Sequence, residues 1–240
     1  MLQLTNVSKK FGNLIAVDHI DLFIPPGELY GFLGPNGAGK TTTIKMIVGL
    51  YSLSSGSISV DGYDITKNQL EAKARIGYIP DQPFLYDKLT GREFLYFSGG
   101  LFGVAKSRLQ QRIAELVEIL KIEDWLDQRT EVYSQGMRQR ISIASAFLHE
   151  PALIVIDEPM IGLDPQTAHI VKQFLRQQMT QGRTIFMSTH SLNVAEEICS
   201  RVGIINHGQI IFDDRITALQ QLKSQKSHNF EQLFIELTAE

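Results

Sequence analysis

Hydrophobic positions along this chain alternate, run together or recur at helical spacing in a definite order. Residues 2–7 and 14–24 alternate as short strands on either side of a Phe11-Gly12-Asn13 turn. Pro25-Pro26-Gly27 makes a second turn, and the apolar stretch 28–33 leads as a strand into a glycine-rich segment. From Lys40 the period changes, and Ile44, Ile47, Val48 and Tyr51 fall on one face of a helix. Residues 57–60 and 76–79 read as strands. The stretch from 91 to about 149 is helical. There Leu109, Ile113, Leu116 and Leu120 form one stripe, and Met137, Ile141, Ala144 and Leu148 a second. Both stripes predict core packing and imply no cofactor.

Residues 153–156 are apolar without interruption, which suits a central parallel strand buried on both faces. A helix over 167–180, a strand over 184–187, a helix over 192–199 and strands over 202–206 and 209–213 follow. The tail from Ile216 reads as helical and contains Phe230-Glu231-Gln232-Leu233-Phe234. This succession predicts an α/β domain with a parallel sheet, into which the helical block 91–150 is inserted.

Composition narrows the picture. A chain of 240 residues, 43% apolar and 20% charged, makes one large domain or one core with an inserted subdomain. With 23 Lys+Arg against 26 Asp+Glu the net charge is -3, so no nucleic-acid partner is expected. The single cysteine, Cys199, allows no intrachain disulfide and no cysteine zinc cluster, and is expected to be a small buried residue of a helix. The N-terminal residues lack a basic region followed by a sustained apolar core, so no signal peptide is read. No apolar run approaches the roughly 18 residues of a membrane span. The expectation is a protein soluble by itself, cytoplasmic, and able to reach a membrane only through a partner.

The segment Gly34-Pro35-Asn36-Gly37-Ala38-Gly39-Lys40-Thr41-Thr42 carries the chemistry. It meets the pattern G-x-x-x-x-G-K-[ST] between a predicted strand and a predicted helix. Its glycines let the backbone wrap closely and aim N–H groups at phosphate oxygens, and the helix N-terminus adds partial positive charge. Lys40 is placed to bridge the β- and γ-phosphates of ATP, and the Thr41 hydroxyl to ligate Mg2+. A dinucleotide fold would need G-x-G-x-x-G, a spacing absent here.

Hydrolysis also needs a carboxylate for the magnesium shell and a base to orient water. Asp157 ends the apolar run and Glu158 follows it, so Asp157 is assigned to Mg2+ and Glu158 to the attacking water. His190 lies just past the strand 184–187, where an imidazole can hydrogen-bond a γ-phosphate. Taken alone, it reads more readily as a loop histidine with ordinary partners.

With these motifs in this order, the chain resembles the nucleotide-binding subunits of ABC-type transporters, from residue 2 to about 213. Tyr133-Ser134-Gln135-Gly136-Met137 is similar to the family signature L-S-G-G-Q, 153–158 to its Walker B strand with catalytic Glu, and Gly162-Leu163-Asp164 to its D-loop. The resemblance implies a P-loop NTPase (RecA-like) core over 1–215, with an antiparallel β subdomain and the helical insertion, followed by a short helical tail over 216–240. It implies a homodimer, or a heterodimer with a paralogue, in which ATP is sandwiched between the phosphate loop of one copy and Ser134 and Gly136 of the other. It also implies a separately encoded membrane-spanning permease touching residues 81–105. His190 becomes the family's switch histidine and Phe11 the aromatic that stacks on adenine.

Two positions depart from the family pattern. Gln135 and Met137 stand where the signature has its first glycine and its glutamine. In Ile79-Pro80-Asp81-Gln82 the family's Q-loop glutamine aligns with Asp81, and Gln82 comes one place later, so either could meet the metal. The leading expectation is an ATPase subunit energising a transporter, with exporter-like character in its signature and tail. A soluble ABC-type ATPase outside transport is the alternative. A small-molecule kinase comes third, and the Glu158 position beside Asp157 speaks for water as acceptor.

Overall fold

In the computed structural model residues 1–226 are described. The aromatic residues Phe230 and Phe234 of the tail lie outside them. Two sheets and a group of helices make the fold. Strands β1 (Leu2–Phe11), β2 (Leu14–Ile24), β4 (Ser55–Val60) and β5 (Tyr63–Asp64) form an antiparallel sheet in the order β2-β1-β4-β5. The second sheet contains β3 (Leu29–Leu33), β6 (Ile76–Ile79), β7 (Leu153–Asp157), β8 (Thr184–Thr189), β9 (Arg201–Asn206) and β10 (Gln209–Arg215), in the order β10-β9-β3-β8-β7-β6. It is parallel except for the β9–β10 pair.

Strand β1 runs four residues beyond the predicted 2–7. Its burial alternates at first and then gives three consecutive buried residues, Val7, Ser8 and Lys9, where the register with β2 shifts. An extra residue in one strand turns side chains to the other face and erases the period-2 signal. The hairpin tip is therefore Gly12-Asn13, with Phe11 still in the strand.

The buried strands of the larger sheet separate two cores by parity. Leu29, Leu33, Ile154, Ile156, Ile185 and Met187 face the larger core, made with α3 (Gly91–Leu101), α4 (Lys106–Leu120), α5 (Gln135–Phe147), α6 (Pro165–Thr180) and α7 (Leu192–Ile198). Tyr30, Phe32, Leu153, Val155 and Phe186 face the second core, shared with α1 (Lys40–Ile47), α2 (Gln69–Lys73) and the antiparallel sheet. Each fully buried Leu, Ile or Phe contributes about 1.5–3 kcal/mol. A polar substitution on either face of β7 would forfeit that and strand a polar group.

The helical block 91–150 resolves into α3, α4 and α5, with short 3-10 turns at Glu123–Trp125 and Thr130–Val132. Its predicted stripes are core: Leu109, Ile113, Leu116, Leu120, Ile141, Ala144 and Leu148 are buried. Thr90 starts α3 with a reciprocal capping box to Glu93. Helix α6 begins two residues before the predicted 167, because Asp164 caps it and Pro165 occupies its first turn. Cys199 is buried as expected but lies just past α7 in extended backbone, not in the helix, and burial pushes its thiol up to about 12. Helix α8 (Ile216–Lys226) packs Leu219 into the larger core.

Candidate nucleotide site

Strands β3, β7 and β8 are parallel neighbours, so the loops that follow them emerge at one edge of the sheet. Carboxyl ends of parallel strands are where α/β sheets gather their ligands. These three loops bring the phosphate loop, Asp157 with Glu158, and His190 to one cleft of about 540 Å3. Its walls include Phe11, Asn36, Gly37, Gly39, Lys40, Thr41, Thr42, Asp81, Asp157, Glu158 and His190.

The phosphate loop is set by close approach. Gly39 has φ +114°, and a Cβ there would lie 2.6 Å from the Ala16 carbonyl oxygen. Only glycine fits, and the helix therefore starts with its free N–H groups turned to the cleft. Ala38 is buried, accepts a hydrogen bond from Gly208 N at 2.9 Å, and donates to Pro35 O. Gly34, Pro35 and Ala38 shape the loop from behind rather than line the cleft. Lys40 donates to the loop's own carbonyls, Gly34 O at 2.7 Å and Pro35 O at 3.1 Å. Burial lowers its ammonium pKa, and the carboxylates of Glu158 and Asp157 oppose that shift. A phosphate entering the cleft would substitute charged acceptors for those carbonyls.

Asp157 shares its face of β7 with Leu153 and Val155, so it points toward the α1 side and not into the helical core. It pairs across the sheet with Ser188, whose hydroxyl donates to Asp157 Oδ1 at 2.5 Å and accepts from Glu158 N at 3.1 Å. The other oxygen, Asp157 Oδ2, is buried with no hydrogen-bond partner. Such an atom demands a cation or a water. The site residues therefore fit Mg2+: Asp157 presents a buried free carboxylate oxygen, and Thr41 a hydroxyl, to the same cleft. Among the described residues no group of three acidic, His or Cys side chains could hold a metal.

Glu158 has φ +50°, a strained value for a side-chain-bearing residue. Its carboxylate is mostly shielded and lies 3.0 Å from His190 Nδ1, while the His190 side chain is 58% exposed. Asp81 lines the cleft and also a neighbouring depression with Gln82, Pro83, Tyr133, Gln135 and Arg138, whereas Gln82 lines only the latter. Tyr78 reports on the same neighbourhood: burial, with Asp157 and Asp81 adding to it, pushes its hydroxyl up to about 12.

Phe11 meets Tyr51 edge to face at 5.5 Å, with Lys9 Nζ 5.0 Å from its ring centre. Leu14, Ala16 and Ile161 also line the cleft and were not singled out from the sequence. Leu14, immediately after the hairpin tip, is a large apolar residue left 65% exposed. Ser134 and Gly136 do not line the cleft. Ser134 caps α5 by accepting from Met137 N at 3.3 Å, and that helix N-terminus is open to solvent.

The ABC transporter family model matches residues 17–161, well over half of the chain. The chain belongs to the ABC transporter family. As an ABC ATPase it is 39% identical to the linearmycin resistance ATP-binding protein LnrL of Bacillus subtilis strain 168, over 88% of this chain and 68% of that one. It is 35% identical to the Nod factor export ATP-binding protein I of Cupriavidus metallidurans, over 90% of this chain and 71% of that one. A solved ATP-binding subunit of an ABC transporter superposes with TM-score 0.91 at 30% identity, covering 99% of each chain. A dimeric ATP-binding cassette in a post-hydrolysis state, bound to ADP and Pi, superposes with TM-score 0.82 at 25% identity, over 90% of this chain and 99% of that one. The fold is that of a P-loop NTPase, and the chain is an ATP-binding, ATP-hydrolysing transporter subunit.

Proposed function

We propose that this ATPase works as a pair of copies energising export through a separately encoded membrane-spanning permease. The observation that carries the pairing is the separation of the site into two parts. The cleft holds the phosphate loop, Asp157, Glu158 and His190, while the N-terminus of α5, with Ser134 and Gly136, is exposed elsewhere. Free amides at a helix N-terminus attract phosphate. A second copy would bring them to the nucleotide.

Within that arrangement Lys40 leaves the carbonyls of Gly34 and Pro35 to bridge the terminal phosphates. Thr41 and Asp157 would hold Mg2+ beside them, and Asp81, which lines the cleft, would be the further carboxylate available to it. The ion would supply charge neutralisation of the phosphates. Glu158 orients and deprotonates the attacking water, and His190, 3.0 Å away, contacts the γ-phosphate and steadies that carboxylate. Phe11 offers its exposed face to the base.

The export reading draws on the relatives, one of which is a Nod factor export protein. Among the described residues no helix is long and apolar enough to cross a membrane, and the conduit is assigned to the proposed permease. Exposed apolar residues for docking it lie within 81–105: Phe84 and Leu101 are 76% and 72% exposed, beside Tyr86, Phe97 and Phe102. The ATPase itself would stay on the cytoplasmic face.

Mixing two inactive variants tests the pairing. Lys40→Ala ruins the phosphate loop and Gly136→Asp the α5 N-terminus. Each alone should hydrolyse ATP poorly. Mixed, they should regain activity, because one of the two sites then combines an intact loop with an intact helix start. A mixture no more active than its components would overturn the shared site. Affinity capture from detergent-solubilised membranes should bring down a membrane protein, and recovery with ribosomes alone would overturn the transport reading.

A further inference from the structure

Gln135 is the first residue of α5, and it stands where the family signature has glycine. An exposed glutamine at that place would ordinarily point into water. Here its side-chain amide turns onto the loop between β7 and α6. Nε2 donates to the Ile161 carbonyl at 3.0 Å, joining residues 26 positions apart. The same amide lies over Gly162. A Cβ added to Gly162 would fall 2.4 Å from Gln135 Oε1 and 2.5 Å from Nε2, and the backbone there has φ +69°. The backbone conformation favours glycine at 162, and a Cβ there would displace the Gln135 amide.

The loop so gripped is the one that carries Glu158. Ile161 N donates back to Glu158 O at 3.3 Å, and Leu163 N to Met160 O at 3.4 Å, so 158–163 is a connected pair of turns. Its entrance is held by Ser188, which accepts from Glu158 N, and its exit by Asp164, which caps α6. Gln135 holds the middle. Ile161 is also part of the cleft wall beside Glu158. A shift of the α5 start would therefore be felt, through one hydrogen bond and one turn, at a residue in strained left-handed backbone.

We propose that Gln135 is a positioning residue that couples the two hydrolytic sites of the pair. This rests on the shared-site reading above. In that arrangement the α5 N-terminus of one copy contacts the nucleotide of its partner, while the loop 158–163 of the same copy serves its own nucleotide. The Gln135 amide links the two within one chain, so closure on the partner's γ-phosphate is transmitted to Glu158. A glycine at 135 could not make this link.

Steady-state turnover against ATP concentration tests it, with the full chain and the variants Gln135→Ala, Gln135→Met and Gly162→Ala. Gln135→Met keeps the length of the side chain and removes the donor. A single neutral hydrogen bond governs about a three- to tenfold effect. Both Gln135 variants should lower kcat by about that factor and move the Hill coefficient toward one. Binding of a fluorescent ATP analogue to the single copy, and the melting temperature, should stay at wild-type values. Gly162→Ala should reproduce the loss by expelling the amide. In combination with Gln135→Ala it should cost less than the product of the two single effects, since the clash is gone. Wild-type kcat and Hill coefficient in Gln135→Met would overturn the proposal. So would a loss explained by lowered melting temperature or weakened binding to the single copy. A wild-type chain that shows neither cooperativity nor recovery on mixing overturns the shared site itself. A cooperative wild type with an unaltered Gln135→Met overturns only the coupling.

Discussion

The Nδ1 atom of His190 lies 3.0 Å from a carboxylate oxygen of Glu158, joining the ends of β7 and β8 across the mouth of the phosphate loop. The pair divides the work. Removing the carboxylate as Glu158→Gln should cut hydrolysis by about 10²–10⁴-fold, the usual worth of a positioned base. ATP binding should persist, and a dimer trapped with ATP should live longer in size-exclusion chromatography. His190→Ala should also slow hydrolysis while leaving ADP affinity unchanged, because His190 meets Glu158 and, in the proposed arrangement, the γ-phosphate that ADP lacks. Wild-type turnover in Glu158→Gln would refute the assignment of the base.

Lys40→Ala should act earlier, on binding. Charge-assisted hydrogen bonds are worth about 1.5–3 kcal/mol, which corresponds to about a tenfold to hundredfold weaker affinity for ATP. The ammonium is already buried beside Gly34 and Pro35, so the variant also leaves those carbonyls without their donor. Equilibrium titration with a fluorescent ATP analogue reads the effect, and unchanged affinity would refute the role of the loop lysine.

Ser188 connects Asp157 with Glu158 by donating to Asp157 Oδ1 and accepting from Glu158 N. Ser188→Ala removes both bonds inside the sheet. Leaving buried groups unpaired costs about 1–3 kcal/mol, a fall of several degrees in Tm for a chain of this size. The Mg2+ concentration for half-maximal hydrolysis should rise as well, since Asp157 then loses its orientation. A melting curve and a metal titration check the two effects separately.

His149 stacks on Phe102 with ring centres 3.7 Å apart, and its Nε2 lies 3.1 Å from Ile76 O. Burial pushes its pKa below 6.5, with the Ile76 carbonyl opposing and Arg183 adding to the shift. The unfolded chain therefore takes up the proton first as pH falls. Stability contributed by neutral His149 is complete above about pH 6.5 and is lost on acidification toward its folded pKa. Thermal melts between about pH 7.5 and 5.5 should fall less steeply for His149→Gln than for the wild type. Equal slopes would show that other groups carry the dependence.

Much of the fold was legible because local order and tertiary order agree. Strands β3, β7 and β8 are buried throughout and largely apolar since both of their faces are covered, and the stripes of α4 and α5 point into one core. The phosphate loop was legible because its chemistry is contiguous: glycines, Lys40 and Thr41 follow one another, and backbone geometry alone sets them around a phosphate. Phe11 was misplaced in a turn because bulges in β1 broke the alternation. Leu14 and Ala16 were overlooked because nothing in a strand's own pattern says that a distant cleft will open against it.

By itself, then, the sequence determined an α/β phosphate-loop ATPase of the ABC type, because the period of its apolar residues and the spacing of its loop are local properties. Only the tertiary structure decided that Asp81 and not Gln82 reaches the cleft, and that Asp157 keeps one buried oxygen free. It also decided that Ser134 and Gly136 lie outside the lining of this copy's nucleotide cleft, and that Gln135 closes over Gly162. The reason is the same in each case. These relations join residues far apart in the chain, and they exist only once β3, β7 and β8 lie side by side and α5 packs beside them.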